Sequence, residues 1–233
     1  MYDHIVAERL PSIRSRLEQA AVRVGRSPDD IRVVAVTKGH PVEALTAVMD
    51  AGVHDLGENR VAELERKQTV LAGDPRARWH MVGHVQSRKA PQLAGRVHLL
   101  HSLDSVKLAG RLDRTLPEGE AAVPVLVQVN TSGEDAKYGF TPDSFREALP
   151  QLVELAGLNI RGLMTMAPLT EDEDWIRRTF RTLRELHEEA RDTCSGYSGD
   201  QLSMGMSNDF EIAVEEGSTM VRLGTALFGD RPG

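Results

Sequence analysis

The sequence predicts an α/β protein, a single closed (β/α)₈ barrel (a TIM barrel) with an extra N-terminal helix, and three observations carry that expectation. Short β-branched runs alternate with longer amphipathic segments eight times along the 233 residues. Strand alternating with helix throughout implies an α/β architecture, and eight such units in a chain near ~250 residues imply closure into a barrel. Several runs, VVAV and VPVLVQV among them, are almost wholly apolar, as strands are when helices cover both faces of a parallel sheet. An open doubly wound sheet is the alternative, but no G-x-G-x-x-G follows the first strand.

Taken in order, strands are expected over residues 31–38, 53–58, 78–83, 97–103, 123–130, 159–165, 201–207 and 220–224. The clearest helix is expected over residues 171–192, where Trp175, Thr179, Phe180, Leu183, Leu186 and Ala190 make an apolar stripe. Its first turn carries Glu171, Asp172, Glu173 and Asp174, which suits the positive end of the helix dipole. Thr141-Pro142 reads as a capping side chain followed by proline at the first helical position. Pro150 is expected to kink or split the helix that follows, and Pro11 to do the same to the leading helix. No linker or low-complexity tract interrupts the pattern, so residues 1–233 read as one domain.

Composition narrows the function. The net charge is −7 and aromatic residues make up 4%. Neither a basic stripe to neutralise phosphates nor a stacking platform for bases is present, so nucleic-acid binding is not expected. The N-terminal residues are too charged for a signal-peptide core, and the longest apolar stretch is far short of a membrane span. One cysteine, Cys194, excludes an intramolecular disulfide and suits a reducing, cytoplasmic setting. It has no basic neighbour to activate it, so a surface or half-buried thiol is expected.

In a barrel, chemistry gathers where strands end. The first strand ends in Thr37-Lys38-Gly39. Burial of the Lys38 stem would favour its neutral amine, a nucleophile towards a carbonyl. The alternative is a lysine that snorkels to the rim or pairs with Glu58. Strand seven runs into Met206-Ser207-Asn208-Asp209 and strand eight into Arg222-Leu223-Gly224-Thr225. Glycine allows close backbone approach, and hydroxyls with helix-start N–H groups can cradle a phosphate, though capping and packing would use the same residues. An anion site opposite a strand-end lysine suits a phosphorylated aldehyde. Arg222 shares a face with Gly224 and needs a partner in the barrel: a ring nitrogen, or a salt bridge to Glu58 or Glu211.

These residues lie in blocks that resemble the pyridoxal-phosphate homeostasis proteins (the YggS or PROSC family), themselves similar to the N-terminal barrel of alanine racemase. The blocks are VVAVTKGHP, DLGENRVAE, WHMVGHVQSRK, HSLDS, QVNTSGEDAKYGF, GLMTMAP and LSMGMSNDFEIAVEEGSTMVRLGTALFG, collinear over almost the whole chain. The resemblance implies pyridoxal 5′-phosphate as a Schiff base on Lys38, with Ser207, Gly224 and Thr225 on its phosphate. It places Arg222 against the pyridine nitrogen, and Asn59 and Met206 along the ring. The block Gly83-His84-Val85-Gln86-Ser87-Arg88-Lys89 departs from the family pattern and leaves Gln86 and Arg88 without assigned roles. His80 is expected either to touch the cofactor's phenolic oxygen or to be a histidine satisfied within the core. Lys137 is expected as a second amine near the site or as a solvated loop lysine. The clusters Met164/Met166 and Met204/Met206 read, on their residues alone, as core filling. No metal site is expected.

The resemblance favours a cofactor carrier acting in pyridoxal-phosphate homeostasis, with no catalytic residue. It would be a monomer or weak homodimer, with apo-enzymes that need the cofactor as its expected partners. A racemase-like enzyme is the alternative. Alanine racemase completes its site with a second domain, and the present chain stops just after strand eight, so two-sided proton transfer is not expected. A Schiff-base aldolase on the same barrel would need no prebound cofactor.

Overall fold

The computed structural model describes residues 1–72, 74–116 and 119–231. The expected alternation is present: α1 (Tyr2–Arg23), β1 (Arg32–Val36), α2 (Val42–Asp50), β2 (Asp55–Glu58), α3 (Val61–Val70), β3 (Arg78–Met81), β4 (Leu99–Leu103), α4 (Val106–Thr115), β5 (Val123–Gln128), α5 (Pro142–Val153), β6 (Leu158–Met164), α6 (Glu173–Thr193), β7 (Gln201–Ser203), α7 (Phe210–Glu215), β8 (Met220–Leu223) and α8 (Thr225–Phe228). A 3₁₀ turn, Ser87–Gln92, stands between β3 and β4 where the other units carry a helix. The strands close in sequence order into one parallel barrel, with β8 returning to β1.

Each strand's alternation sorts its residues into two cores. Outward-facing Ala35, Leu56, Met81, Leu100, Val127, Leu163 and Val221 pack beneath the helices. Inward-facing Val34, Leu99, Leu126, Met164 and Met220 fill part of the lumen. Burying a side chain of this size is worth about 1.5–3 kcal/mol, so the outer layer supplies most of the stability.

The prolines do not break their helices. Pro11 lies inside α1 and Pro150 inside α5, and both helices continue past them. In α1 the buried stripe Val6, Leu10, Ile13, Leu17 spans the proline. In α5, Phe145, Ala148, Leu149 and Leu152 do the same. Packing of an apolar face on both sides outweighs the lost backbone bond. Thr141 does cap α5, accepting from the Ser144 N–H at 3.1 Å. In α6, Asp172 is the cap and Ile176 joins the buried stripe, while Trp175 is half-buried and donates to the Ser132 carbonyl at 3.1 Å.

His187, on α6, is buried against Tyr197, with Nδ1 2.8 Å from the phenol oxygen. Burial, with Arg191 nearby, lowers its pKa to about 4. An unfolded histidine titrates near ~6.5. Between the two values the unfolded chain binds a proton that the folded chain refuses, so stability falls as pH falls through this window. Urea denaturation between pH 7 and pH 4 should show this loss, and His187→Gln should remove up to one proton from the slope. An unchanged slope would place the titration elsewhere.

Candidate active site

At the C-terminal mouth of the barrel lies a cavity of about 400 Å³. All seven residues singled out for the cofactor line it: Lys38, Asn59, Met206, Ser207, Arg222, Gly224 and Thr225. They come from the ends of β1, β2, β7 and β8, so closure of the barrel brings together positions up to 187 residues apart (225 − 38).

The lysine is held through its backbone. β1 ends at Val36, and Lys38 follows half-buried in the turn Thr37-Lys38-Gly39. Glu58 does not pair with it. That carboxylate accepts from Lys67 Nζ at 2.6 Å and from the Thr37 hydroxyl at 2.5 Å. Lys67, wholly buried, also donates to the Thr37 carbonyl at 2.7 Å and to Glu63 at 2.9 Å. Glu63 in turn accepts the Gly39 N–H at 2.8 Å. A buried knot of one ammonium and two carboxylates thus grips the peptide units on both sides of Lys38. Burial pushes the Glu58 carboxyl above its ordinary value, against the pull of the Lys67 and Thr37 hydrogen bonds.

Arg222 lies at the bottom of the cavity at 5% exposure. The alternative salt bridges do not form: Glu58 belongs to Lys67, and Glu211 pairs with Arg16 outside the barrel at 2.7 Å. Arg222 instead donates from Nη1 to the Ser203 carbonyl (2.8 Å) and hydroxyl (2.6 Å), and from Nη2 to the Thr165 carbonyl (2.9 Å). Three of its five N–H groups are used; Nε–H and one Nη2–H remain. Burial lowers its pKa to about 10, only partly offset by the charge of Asp209.

Opposite, Ser207 accepts the Ala226 N–H at 3.1 Å, joining the loop after β7 to the start of α8. That loop leaves the strand earlier than the sequence suggests, at Ser203, because Gly205 takes φ +97° and Met206 N–H turns to Asp209 Oδ1 at 2.5 Å. A Cβ on Gly205 would lie 2.6 Å from that of Ala213, so only glycine permits this turn. Gly83 serves Asn59 similarly: a Cβ there would fall 2.3 Å from both Asn59 oxygens. Burial raises the Asp209 carboxyl, while its Met206 hydrogen bond pulls the other way.

The two further candidates do not line the cavity themselves. His80 is fully buried and bonded through Nε2 to Asp55 (2.8 Å) and through Nδ1 to His101 (2.9 Å). It does not line the cavity, so the core reading replaces contact with a phenolic oxygen. Lys137 is a second amine near the site rather than a solvated lysine, but it is not free: it pairs with Glu134 and donates to the carbonyls of Met166 (3.2 Å) and Ala167 (2.8 Å). It anchors the segment that forms one cavity wall. Met166 and Met206 line the cavity, whereas Met164 and Met204 are core. Gln86 and Arg88 are exposed, bonded to each other at 3.0 Å. Sequence reasoning missed Lys67, Glu63, Asp55, His101 and Ser203.

A parallel eight-stranded barrel with a strand-end lysine above a buried arginine defines the class of the alanine racemase N-terminal domain, and that domain's profile matches residues 9–232. An alanine racemase from Corynebacterium glutamicum shares the fold at a TM-score of 0.70 and 15% identity, over 96% of this chain and 62% of that one. Within this class the chain belongs to the pyridoxal phosphate homeostasis protein family. It is 38% identical over 224 residues to the member from Aquifex aeolicus (strain VF5), covering 96% of this chain and 97% of that one. PipY of Synechococcus elongatus PCC7942 has been solved without PLP (TM-score 0.87, 38% identity) and with PLP bound (0.84, 36%), each match covering 96% of this chain and 100% of PipY.

Proposed function

We propose that this chain binds pyridoxal 5′-phosphate in the barrel mouth and acts in the cytoplasm to buffer or deliver the cofactor, without being a catalyst itself. The observation that carries this reading is the convergence of Lys38, Arg222, Ser207 and Thr225 on one cavity of about 400 Å³, a volume in the usual range for small-molecule sites. The donors suit a phosphorylated pyridine aldehyde. Lys38 supplies the amine that holds the aldehyde as a Schiff base. Ser207, Thr225 and the backbone around Gly224 offer donors to the phosphate, and the two spare N–H groups of Arg222 face an acceptor nitrogen.

Bound pyridoxal phosphate supplies an electron sink for carbanion chemistry. Arg222, which can only donate, keeps the ring nitrogen an acceptor and so weakens that sink. Among the described residues lining the cavity, the ionisable side chains are Lys38, Asp209 and Arg222. Asp209 is tied to the Met206 N–H, which leaves Lys38 as the proton-transfer group and one face of a substrate unserved.

Titration tests the reading. Pyridoxal phosphate should bind far more tightly than pyridoxal, since each charge-assisted hydrogen bond is worth roughly 1.5–3 kcal/mol. The loaded protein should restore activity to an apo-enzyme while exchanging the α-hydrogen of L-alanine for deuterium slowly. Equal affinity for the two aldehydes would remove the phosphate site. Rapid exchange that depends on Lys38 would make the protein an enzyme.

A further inference from the structure

The lumen is where this sequence departs from the usual apolar filling of a barrel. Layers of Val, Ile and Leu normally close it, yet five inward positions carry Asp55, His80, His101, Ser203 and Arg222, all at 5% exposure or less. They are bonded in series. Arg222 Nη1 is 2.6 Å from Ser203 Oγ, which is 2.9 Å from His101 Nδ1. His101 Nε2 is 2.9 Å from His80 Nδ1, and His80 Nε2 is 2.8 Å from Asp55 Oδ1. Strand register makes the series a staircase. Asp55 lies level with Arg78, His80 two residues further along β3 and level with Leu99, and His101 two residues beyond that on β4. Ser203 lies level with Met220, and Arg222 is two residues further along β8. The bottom step opens on a second cavity, of about 480 Å³, lined by Asp55 with Arg14, Arg32 and Arg78.

The donor at every step follows from the bottom one. Asp55 accepts both Nε–H and Nη2–H of Arg78, at 3.0 and 2.6 Å. Burial would raise its pKa, but the hydrogen bonds from His80 and Arg78 prevail and hold it far below the usual carboxylate range. An ionised carboxylate only accepts, so His80 carries its proton on Nε2. Burial keeps both imidazoles neutral, so His80 Nδ1 accepts and His101 Nε2 donates. His101 Nδ1 then accepts the Ser203 O–H, and the Ser203 lone pair accepts from Arg222. The charged and titratable groups around the two rings are Arg32 of β1, Asp55 of β2, Arg78 of β3, His98 before β4 and Arg222 of β8. Protonating His80 on Nδ1 would set it against the His101 Nε2–H, and protonating His101 on Nδ1 would force the Ser203 hydroxyl to turn its O–H away.

We propose that Ser203, His101, His80 and Asp55 are positioning residues for Arg222, a single oriented hydrogen-bond chain that fixes the guanidinium beneath the cofactor. The proposal rests on the reading that Arg222 meets the ring nitrogen of pyridoxal phosphate. Arg222 has no carboxylate in contact among the described residues. The chain joins it to the negative charge of Asp55 through aligned, mutually polarising bonds. The chain leaves the Nε–H and one Nη2–H of Arg222, a residue that lines the cavity, without a partner among the described residues.

Nitrogen-15 NMR of the cofactor-free protein tests the chain independently of any ligand. Both His80 and His101 should be neutral Nε2–H tautomers from pH 6 to pH 8. An Nδ1–H tautomer at either, or titration near ~6.5, overturns the proposal. With pyridoxal phosphate added, Ser203→Ala should raise Kd roughly tenfold, a loss of about 1.4 kcal/mol, and shift the visible band. Ser203→Thr should restore both. Asp55→Asn, at a residue that does not line the cofactor cavity, should shift the band in the same direction as Ser203→Ala. A lowered Tm with unshifted bands and wild-type Kd in both variants would mean that the chain is merely structural. Borohydride attachment at Lys38 should persist in the wild type and the variants. Its loss from the wild type would remove the cofactor reading and leave the NMR result standing, and where a variant does not fold, the NMR result decides.

Discussion

Lys38→Ala is expected to abolish borohydride-reducible attachment of pyridoxal phosphate while leaving the barrel folded. Among the described residues the Lys38 side chain makes no hydrogen bond or ion pair, and its stem is only half-buried. Its backbone is gripped by Glu63 at Gly39 and by Lys67 at Thr37, contacts that the substitution leaves in place. The change in stability should therefore stay within about 0.5 kcal/mol, as for surface positions free of special contacts. Nor can a neighbouring lysine substitute readily. Lys137 spends its three donors on Glu134 and the carbonyls of Met166 and Ala167, and Lys67 is sealed beneath the turn. Peptide mapping after reduction, with a melting curve on the same sample, makes the measurement. The same yield of modified peptide at another lysine would refute the assignment.

The fold and the cavity were readable in the sequence for different physical reasons. A parallel barrel buries its strands on both faces, so several strands appear as short apolar runs; seven of the eight expected runs contain an observed strand, and the sixth overlaps β6, which starts one residue earlier at Leu158. Their ends were less visible, because pairing stops where a neighbour stops. Nothing local to 204–207 shows that Gly205 and Asp209 will turn the chain out of β7 at Ser203. The cavity residues sit at strand ends and in the blocks shared with relatives, which made all seven accessible. The supporting residues were not. Glu63 and Lys67 stand four apart, a pairing that sequence can suggest, but a lysine at 0% exposure runs against every expectation for its type. His101 and Ser203 are 102 residues apart and meet only because the barrel closes. Two-residue alternation does place His80 inward, and a buried histidine needing two partners was the one available hint of the chain beneath Arg222.

Lys67→Met is expected to be among the most destabilising single substitutions in the protein, at about 3–5 kcal/mol, the usual consequence of removing one partner from a buried ion pair. Lys67 and Glu58 are both at 0% exposure, and the ammonium satisfies Glu58, Glu63 and the Thr37 carbonyl together. Oε2 of Glu58 already has no partner. Without the cation, Glu58 would be a buried charge held by the Thr37 hydroxyl alone, and facing Glu63. In a chain of this size the loss should lower Tm by roughly 10 °C. Adding Glu58→Gln should recover much of it, since the double variant buries no unpaired charge. The sign of the pH dependence is also fixed. In Lys67→Met the folded pKa of Glu58 lies above its unfolded value, so a protonated Glu58 is tolerated below the unfolded pKa and stability drains away as pH rises through the folded one. The deficit against wild type should thus be smallest near pH 4 and largest at neutral pH. Affinity for pyridoxal phosphate should fall too, because the turn carrying Lys38 loses the bond to the Thr37 carbonyl and its tie through Glu63 to Gly39. Urea denaturation at several pH values, paired with cofactor titration, measures both effects. A deficit below about 1 kcal/mol at every pH, with wild-type affinity, would mean that Lys38 is positioned by β1 alone.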